Sequence, residues 1–211
     1  MQVAELWRYP VKSMRGERLE EADVRADGIE GDRLVHVVDA AGKLVTGRTR
    51  PDLVRLSATL GAGGALVDGD PWRSDEAARA VEEAAGDGAR LVDAATDGTR
   101  FDETPLLVAT DGMAESFRID RRRLRPNILL SGVDGMAERE WEGRRLRIGE
   151  VVILLDHLCE RCVMTTFDPD TVEQDADVLR RINSELGGLA ALNCGVERAG
   201  RIAVGDPAEL V

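Results

Sequence analysis

Aromatic side chains are rare in this chain, at 3% of 211 residues, with three Trp, one Tyr and three Phe. An aromatic stacking pocket for a purine-like ligand is therefore not evident. Cysteine is also scarce. Three residues imply no disulfide framework, and they cannot provide a Cys₄ set for an iron–sulfur cluster. There is no excess of positive charge: 28 Lys and Arg face 40 Asp and Glu, for a net charge of −12 and a pI near 4.7. That balance argues against a nucleic-acid partner, which calls for a basic face. No apolar run approaches the roughly 20 residues that span a bilayer, so no membrane partner is expected. The segment from Met1 to Pro10 lacks the apolar core of a signal peptide and carries Glu5 and Arg8, which points to a cytoplasmic protein. With 43% hydrophobic and 32% charged residues, the composition is that of a globular chain.

What is present reads as short strands separated by turns. Val3 to Tyr9, Leu19 to Arg25, Arg33 to Asp39, Lys43 to Thr49 and Leu53 to Leu60 are strand candidates, the third and fourth forming a hairpin through Ala40-Ala-Gly42. This half reads as a small β-barrel or β-sandwich. Its helical exception is Asp75 to Ala85, opened by Ser74 and closed by Gly86. A second half begins near Leu91. It holds a helix capped at Thr110-Asp111 and running through Phe117, buried strands at Ile128 to Leu130 and Val151 to Leu155, and a helix from Ala176 to Leu186 ending at Gly187-Gly188. The sum is a mainly β (α+β) fold with few short helices.

Chemistry concentrates in His157-Leu-Cys-Glu-Arg-Cys-Val-Met-Thr-Thr-Phe-Asp-Pro169, which follows a core strand. Cys159 and Cys162 read either as reactive or ligating thiols beside Arg161 or as thiols packed under the sheet. A zinc site is the weaker reading, since only His157 and Cys194 could complete four ligands. A thioredoxin-like pair would open a helix, whereas Val163 to Phe167 looks extended. Arg121, Arg122 and Arg123 read as a solvated face paired with carboxylates. Arg125, just before a buried strand, is a pocket candidate, as are Lys12, Ser13 and Arg33. Asp102 reads as an acid/base group or as a turn former. His36 and Cys194 read as core.

Taken together, these segments resemble one family. Tyr9-Pro-Val-Lys-Ser-Met-Arg-Gly16, Asp27-Gly-Ile, Gly31-Asp-Arg33 and Val45-Thr-Gly-Arg48 resemble the β-barrel domain that precedes MOSC (molybdenum cofactor sulfurase C-terminal) domains. Asp102-Glu-Thr-Pro, Arg125-Pro-Asn127, Glu138-Arg-Glu-Trp141, Arg147-Ile-Gly149, Cys159 to Pro169 and Gly200 to Asp206 resemble the MOSC domain itself. The likeness extends from about Val3 to the C-terminus, and the chain is similar to the mitochondrial amidoxime-reducing component family.

The resemblance implies a MOSC-type β-barrel (residues 91–211) packed with a small N-terminal β-barrel domain (residues 1–90). It also implies a molybdenum cofactor, Mo-molybdopterin, with Cys162 as the metal ligand and Asp102 against a group bound to the metal. Lys12, Ser13 and Arg33 match residues that hold the pterin or its phosphate. Arg48, Arg125 and Asn127 join that pocket, and Arg161, Thr165 and Thr166 line the site beside Cys162. The implied reaction reduces small N-hydroxylated substrates, hydroxylamines or amidoximes, with electrons from a separate iron–sulfur or flavin reductase protein. The alternative is a carrier of the cofactor, or of sulfur as a Cys162 persulfide, and a third reading is a barrel binding a phosphorylated metabolite. Pyridoxal phosphate belongs to the family only through a desulfurase domain, which these residues do not resemble. Met14 stands where the family often has cysteine. The chain is also shorter than eukaryotic members between Leu60 and Phe101, which predicts a more open substrate mouth.

Overall fold

The computed structural model describes residues 1–96 and 100–211. Its three α-helices start where short polar side chains can accept the first free amides. In α1 (Asp75–Ala85) Ser74 Oγ accepts from Ala77, in α2 (Asp111–Phe117) Thr110 Oγ1 accepts from Met113, and in α3 (Ala176–Leu186) Asp175 accepts from Asp177. Gly187, at φ 66°, ends α3 in the left-handed conformation that glycine tolerates.

The strands form four sheets among the described residues. The largest runs Ala208–Leu210, Arg145–Ile148, Val151–Glu160, Leu189–Arg198, Leu106–Thr110, Ile128–Ser131, Gln2–Arg8, Glu17–Leu19. Only Leu106–Thr110 and Ile128–Ser131 pair in parallel, and α2 with the 3₁₀ turn Arg121–Leu124 supplies the crossover that a parallel pair needs. The N-terminal strand thus lies inside a sheet otherwise built mainly from the second half. Glu21–Arg25 pairs with Gly200–Ala203, so a second sheet is also shared between the halves. Val35–Val38 sits between Arg90–Asp93 and Leu44–Val45, with α1 packed beneath. The expected class, mainly β with few short helices, is the one observed, and hydrogen bonding closes none of these sheets into a ring.

Three local expectations fail, the first at Lys43 to Thr49, where only Leu44–Val45 is a strand and Gly47 to Thr49 form a turn. Leu53 to Leu60 is not one strand: Pro51–Arg55 is a 3₁₀ turn, and the strand begins at Ala58. Pro51 fixes φ for the first turn, and Arg55 closes it by pairing with Asp52 at 2.9 Å. Val163–Thr166 is likewise a 3₁₀ turn rather than extended. Thr165 Oγ1 donates to Cys162 O at 2.9 Å and Thr166 Oγ1 to Val163 O at 2.7 Å, so the hydroxyls bend the chain back on itself.

The core is continuous under the large sheet, where Leu6, Val108, Ile128, Leu130, Ile153, Leu155 and Leu192 are fully buried. Burial of such side chains contributes roughly 1.5–3 kcal/mol each, which makes the sheet the rigid frame from which the loops below project. Among the described residues no helix is long and apolar enough to cross a membrane.

Candidate functional site

The long strand Val151–Glu160 leaves the core at Cys159, and the chain then turns to present Arg161 and Cys162. Opposite, the strand after the Ala40–Gly42 turn stops at Val45. The next turn, held by Thr49 and Arg50 amides donating to Thr46 O, carries Arg48 toward the same place. Gly47 permits this approach, because a Cβ there would lie 2.7 Å from Met164 Sδ. A cleft of about 160 Å³ opens between these loops. Nine sequence-assigned residues line it: Lys12, Ser13, Arg33, Arg48, Asp102, Arg125, Asn127, Arg161 and Cys162.

Four of them form a chain of contacts. Arg48 Nε donates to Cys162 Sγ at 3.4 Å, Arg48 Nη2 to Asp102 Oδ2 at 2.9 Å, and Lys12 Nζ lies 2.9 Å from Asp102 Oδ1. Burial pushes the Asp102 carboxyl up, but the hydrogen bond and charge of Lys12, with the charges of Arg48 and Arg33, more than reverse this. Asp102 therefore titrates below the ordinary aspartate range. The hydrogen bond to Cys162 holds the Arg48 proton more tightly, against burial and with help from Asp102.

The other wall is cationic. Arg125 lies 4.3 Å from the Tyr9 ring centre and donates to Met14 O at 2.7 Å, while Arg33 lies 5.2 Å from the same ring. Burial pulls the Arg125 guanidinium below its ordinary value; Tyr9 opposes this and Arg33 adds to it. Arg33 is anchored by the buried Asp32, which also accepts from Tyr9 N at 2.7 Å. Burial raises the Tyr9 phenol to about 12, so it remains neutral and donates to Pro126 O. Ser13, Arg33 and Arg125 have φ of 71°, 50° and 55°, a left-handed conformation costing non-glycine residues about 1–3 kcal/mol each and concentrated at functional sites.

Not every assigned residue faces the cleft in the same way. Thr165 and Thr166 are buried in the turn behind Cys162 and are absent from the cleft lining, because their hydroxyls are occupied by the backbone. Asn127 reaches the cleft, but its Oδ1 accepts from Leu107 N and its Nδ2 donates to Trp7 O, locking adjacent strands of the large sheet. Arg121, Arg122 and Arg123 pair with Glu5, Asp120, Asp168 and Asp170, as expected of a face neutralised by carboxylates. Cys194 is fully buried, so it cannot complete a zinc set with His157. Among the described residues no group of three His, Cys, Asp or Glu is arranged to hold a metal. Sequence reading missed Phe101, Glu103, Glu160, Met164 and Asn193 in the lining. Glu103 had a signal in its adjacency to Asp102; Asn193 sits in an apolar strand and had none.

Five cations (Lys12, Arg33, Arg48, Arg125, Arg161) thus line the cleft against three carboxylates (Asp102, Glu103, Glu160). Arg161 donates to Cys159 Sγ and to Leu124 O, but its buried Nε finds no partner. Such an excess, with a buried donor unsatisfied, suits a multiply charged anion held beside a thiol.

Comparison with known proteins shows the family to which the chain belongs. Residues 1–114 match the MOSC N-terminal beta barrel domain, and residues 104–209 match the MOSC domain. The chain belongs to the MOSC family. It is 27% identical to mitochondrial amidoxime reducing component 2 of Macaca fascicularis, with 97% of this chain and 82% of that protein covered. It is also 27% identical to human mitochondrial amidoxime-reducing component 1, with 99% and 82% covered. These alignments span 276 and 281 positions against 211 residues, so the relatives carry inserted segments that this MOSC protein lacks. In fold it is similar to the YUAD protein of Bacillus subtilis, with a TM-score of 0.50, 16% identity, and 99% of this chain and 94% of that one covered.

Proposed function

We propose that this MOSC protein is a molybdenum-cofactor oxidoreductase that reduces small N-hydroxylated substrates, hydroxylamines or amidoximes. The observation that carries this reading is the juxtaposition of the Cys162 thiol, bridged by Arg48 to Asp102, with a cationic wall containing an unsatisfied buried guanidinium nitrogen. No protein-only metal cage accompanies Cys162 among the described residues, so a metal there requires its remaining ligands from a bound organic group.

In this reading Cys162 holds the metal, and Arg33, Arg125 and Arg161 hold the pterin phosphate, with Lys12 and Ser13 at its edge. When bound, the cofactor supplies two-electron oxygen-transfer chemistry. The chain's own groups bind and orient. Arg48 fixes both the thiol and Asp102, and the two cations on Asp102 keep it ionised and pointed into the cleft. The overall change is R–NHOH + 2 H⁺ + 2 e⁻ → R–NH₂ + H₂O, with electrons from a separate electron-transfer protein. Lys12, Ser13 and Arg33 come from residues 1–90, whereas Arg125, Arg161 and the Cys162 thiol come from residues 91–211. A division at that point puts the cofactor between two units, a common location for such sites.

The test is elemental analysis for molybdenum and pterin fluorescence on protein from a molybdate-supplied host, followed by anaerobic turnover of a hydroxylamine with a chemical reductant. The reading expects near-stoichiometric molybdenum, its loss in Cys162→Ser, and amine formation. Metal and pterin without turnover would instead favour a cofactor carrier, and well-folded protein with neither would leave a phosphate-binding cleft.

A further inference from the structure

Asp102 is held by two cations and is a poor source of protons, yet the proposed reduction consumes two protons per turnover. A second carboxylate in the cleft lining, Glu103, faces different partners. Its Oε2 lies 3.1 Å from His157 Nε2 and accepts from Asn193 Nδ2. His157 is half-exposed, and its Nδ1 lies 3.0 Å from Asp156 Oδ2 at the surface. Three elements converge here: the segment ahead of Leu106–Thr110, the strand carrying Asp156 and His157, and the strand carrying Asn193, which pairs in register with His157. The charged groups facing the imidazole are Glu103 and Asp156.

We infer that Glu103 and His157 form a proton-transfer pair connecting solvent to the cleft, with Asn193 as the residue that positions both; this rests on the reductive reading above. Asn193 Nδ2 lies 3.0 Å from His157 Nε2 as well as against Glu103, so its amide can donate to whichever of the two atoms has a bare lone pair. With the proton on Nε2, the imidazolium faces a carboxylate. With the proton on Glu103, the neutral ring keeps its hydrogen on Nδ1, toward Asp156, and Nε2 accepts. Thr104 Oγ1 lies 3.3 Å from Asn193 Oδ1 and 3.1 Å from Leu106 O, so its one proton is shared between two acceptors. Hydrogen bonds to Glu103 and then to Asp156 raise the imidazole above its ordinary value, so His157 holds its proton more tightly than a free imidazole. In each transfer the proton leaves His157 Nε2 for Glu103 and passes to the departing hydroxyl oxygen or the amine nitrogen. The N–O bond breaks as two electrons arrive from the electron-transfer protein, water leaves, and solvent reprotonates His157.

The decisive experiment has two parts. In cofactor-free protein, NMR titration of His157 should show a coupled titration in the wild type and a downward shift of the imidazole in Glu103→Gln. In loaded protein, His157→Ala should lower kcat about tenfold or more, within the range expected of a proton-transfer group. KM should be little changed, and added imidazole should restore part of the rate. A His157→Ala enzyme with wild-type kcat and no response to imidazole overturns the relay, as does an imidazole that titrates independently of Glu103. A wild type inert toward hydroxylamine with the NMR coupling intact overturns the reductive function itself, and the relay with it.

Discussion

Arg48 Nε and Cys162 Sγ lie 3.4 Å apart although 114 positions separate them in the chain. The same guanidinium reaches Asp102, so one planar fork sets the distance between a thiol and a carboxylate. A lysine carries the charge but not the fork. On the proposed molybdenum-cofactor reading, Arg48→Lys is therefore expected to keep the fold while losing at least half of the bound metal, and Arg48→Ala to lose most of it. Metal-to-protein ratios on both variants check this.

The approach of the Arg48 loop to Cys162 depends on a missing side chain. A Cβ on Gly47 would sit 2.7 Å from Met164 Sδ and 2.8 Å from Met164 Cε. Both are at the far end of a flexible side chain, so Gly47→Ala should cost only about 1 kcal/mol or less, the low end for overpacking. Its larger effect should be on the cleft, because Met164 lines it. On the proposed reading, adding Met164→Ala should restore retention of the cofactor, and a double-mutant cycle of melting temperature and metal content measures the coupling.

The three thiols should separate by reactivity. Cys194 is fully buried, and burial pushes its thiol far up, whereas Cys159 and Cys162 are partly accessible. Native cofactor-free protein treated with iodoacetamide should label at Cys159 and Cys162, with Cys194 labelled only after unfolding; mass spectrometry of the peptides decides it.

Elements whose signals are local were legible in the sequence. Ser74 with Gly86, and Thr110 with Asp111, bracket α1 and the start of α2 because a cap acts on the next three residues. Apolar β-branched runs likewise marked the large sheet's strands. What escaped was set at longer range or by side-chain rotation. The turn after Cys162 exists because two threonine hydroxyls bond backward, an arrangement no periodicity announces. Glu103 and Asn193 meet across 90 positions, and Asn193 alone looks like a polar interruption in a core strand. The strand Gln2–Arg8 enters a sheet built mainly from the second half, a pairing that an alternating pattern cannot assign to a partner. Lys12, Arg33 and Arg125 stood out as pocket candidates by residue type and position, whereas Arg48 was assigned to the cleft only through the family resemblance.

Gly28 holds the Asp102 segment in place from the other half of the chain. Its φ is +101°, and a Cβ would lie 2.6 Å from Pro105 O, a backbone atom that cannot swing aside. Gly28→Ala combines a disfavoured backbone conformation with a backbone clash, for a loss of about 2–4 kcal/mol. Because Pro105 follows Asp102-Glu-Thr directly, the clash should also displace the carboxylate from Lys12 and Arg48. Denaturant unfolding together with metal content tests both effects.

The acid limit of the cleft follows from Asp102. Its folded titration lies below the ordinary value because Lys12 and Arg48 outweigh burial. A depressed carboxylate contributes stability above the unfolded value near 3.9, and that contribution disappears as pH falls through the folded value. Lys12 is almost fully covered while Asp102 is more than half-exposed, at 8% and 55%, so solvent screening holds the pair to about 1 kcal/mol. Asp102→Asn should thus be less stable than wild type by about that amount from neutrality down to roughly pH 4. The two proteins should converge below it. Melting curves from pH 7 to 3 test the sign: a difference that widened toward acid would mean that Asp102 is destabilised by burial rather than held by its two cations.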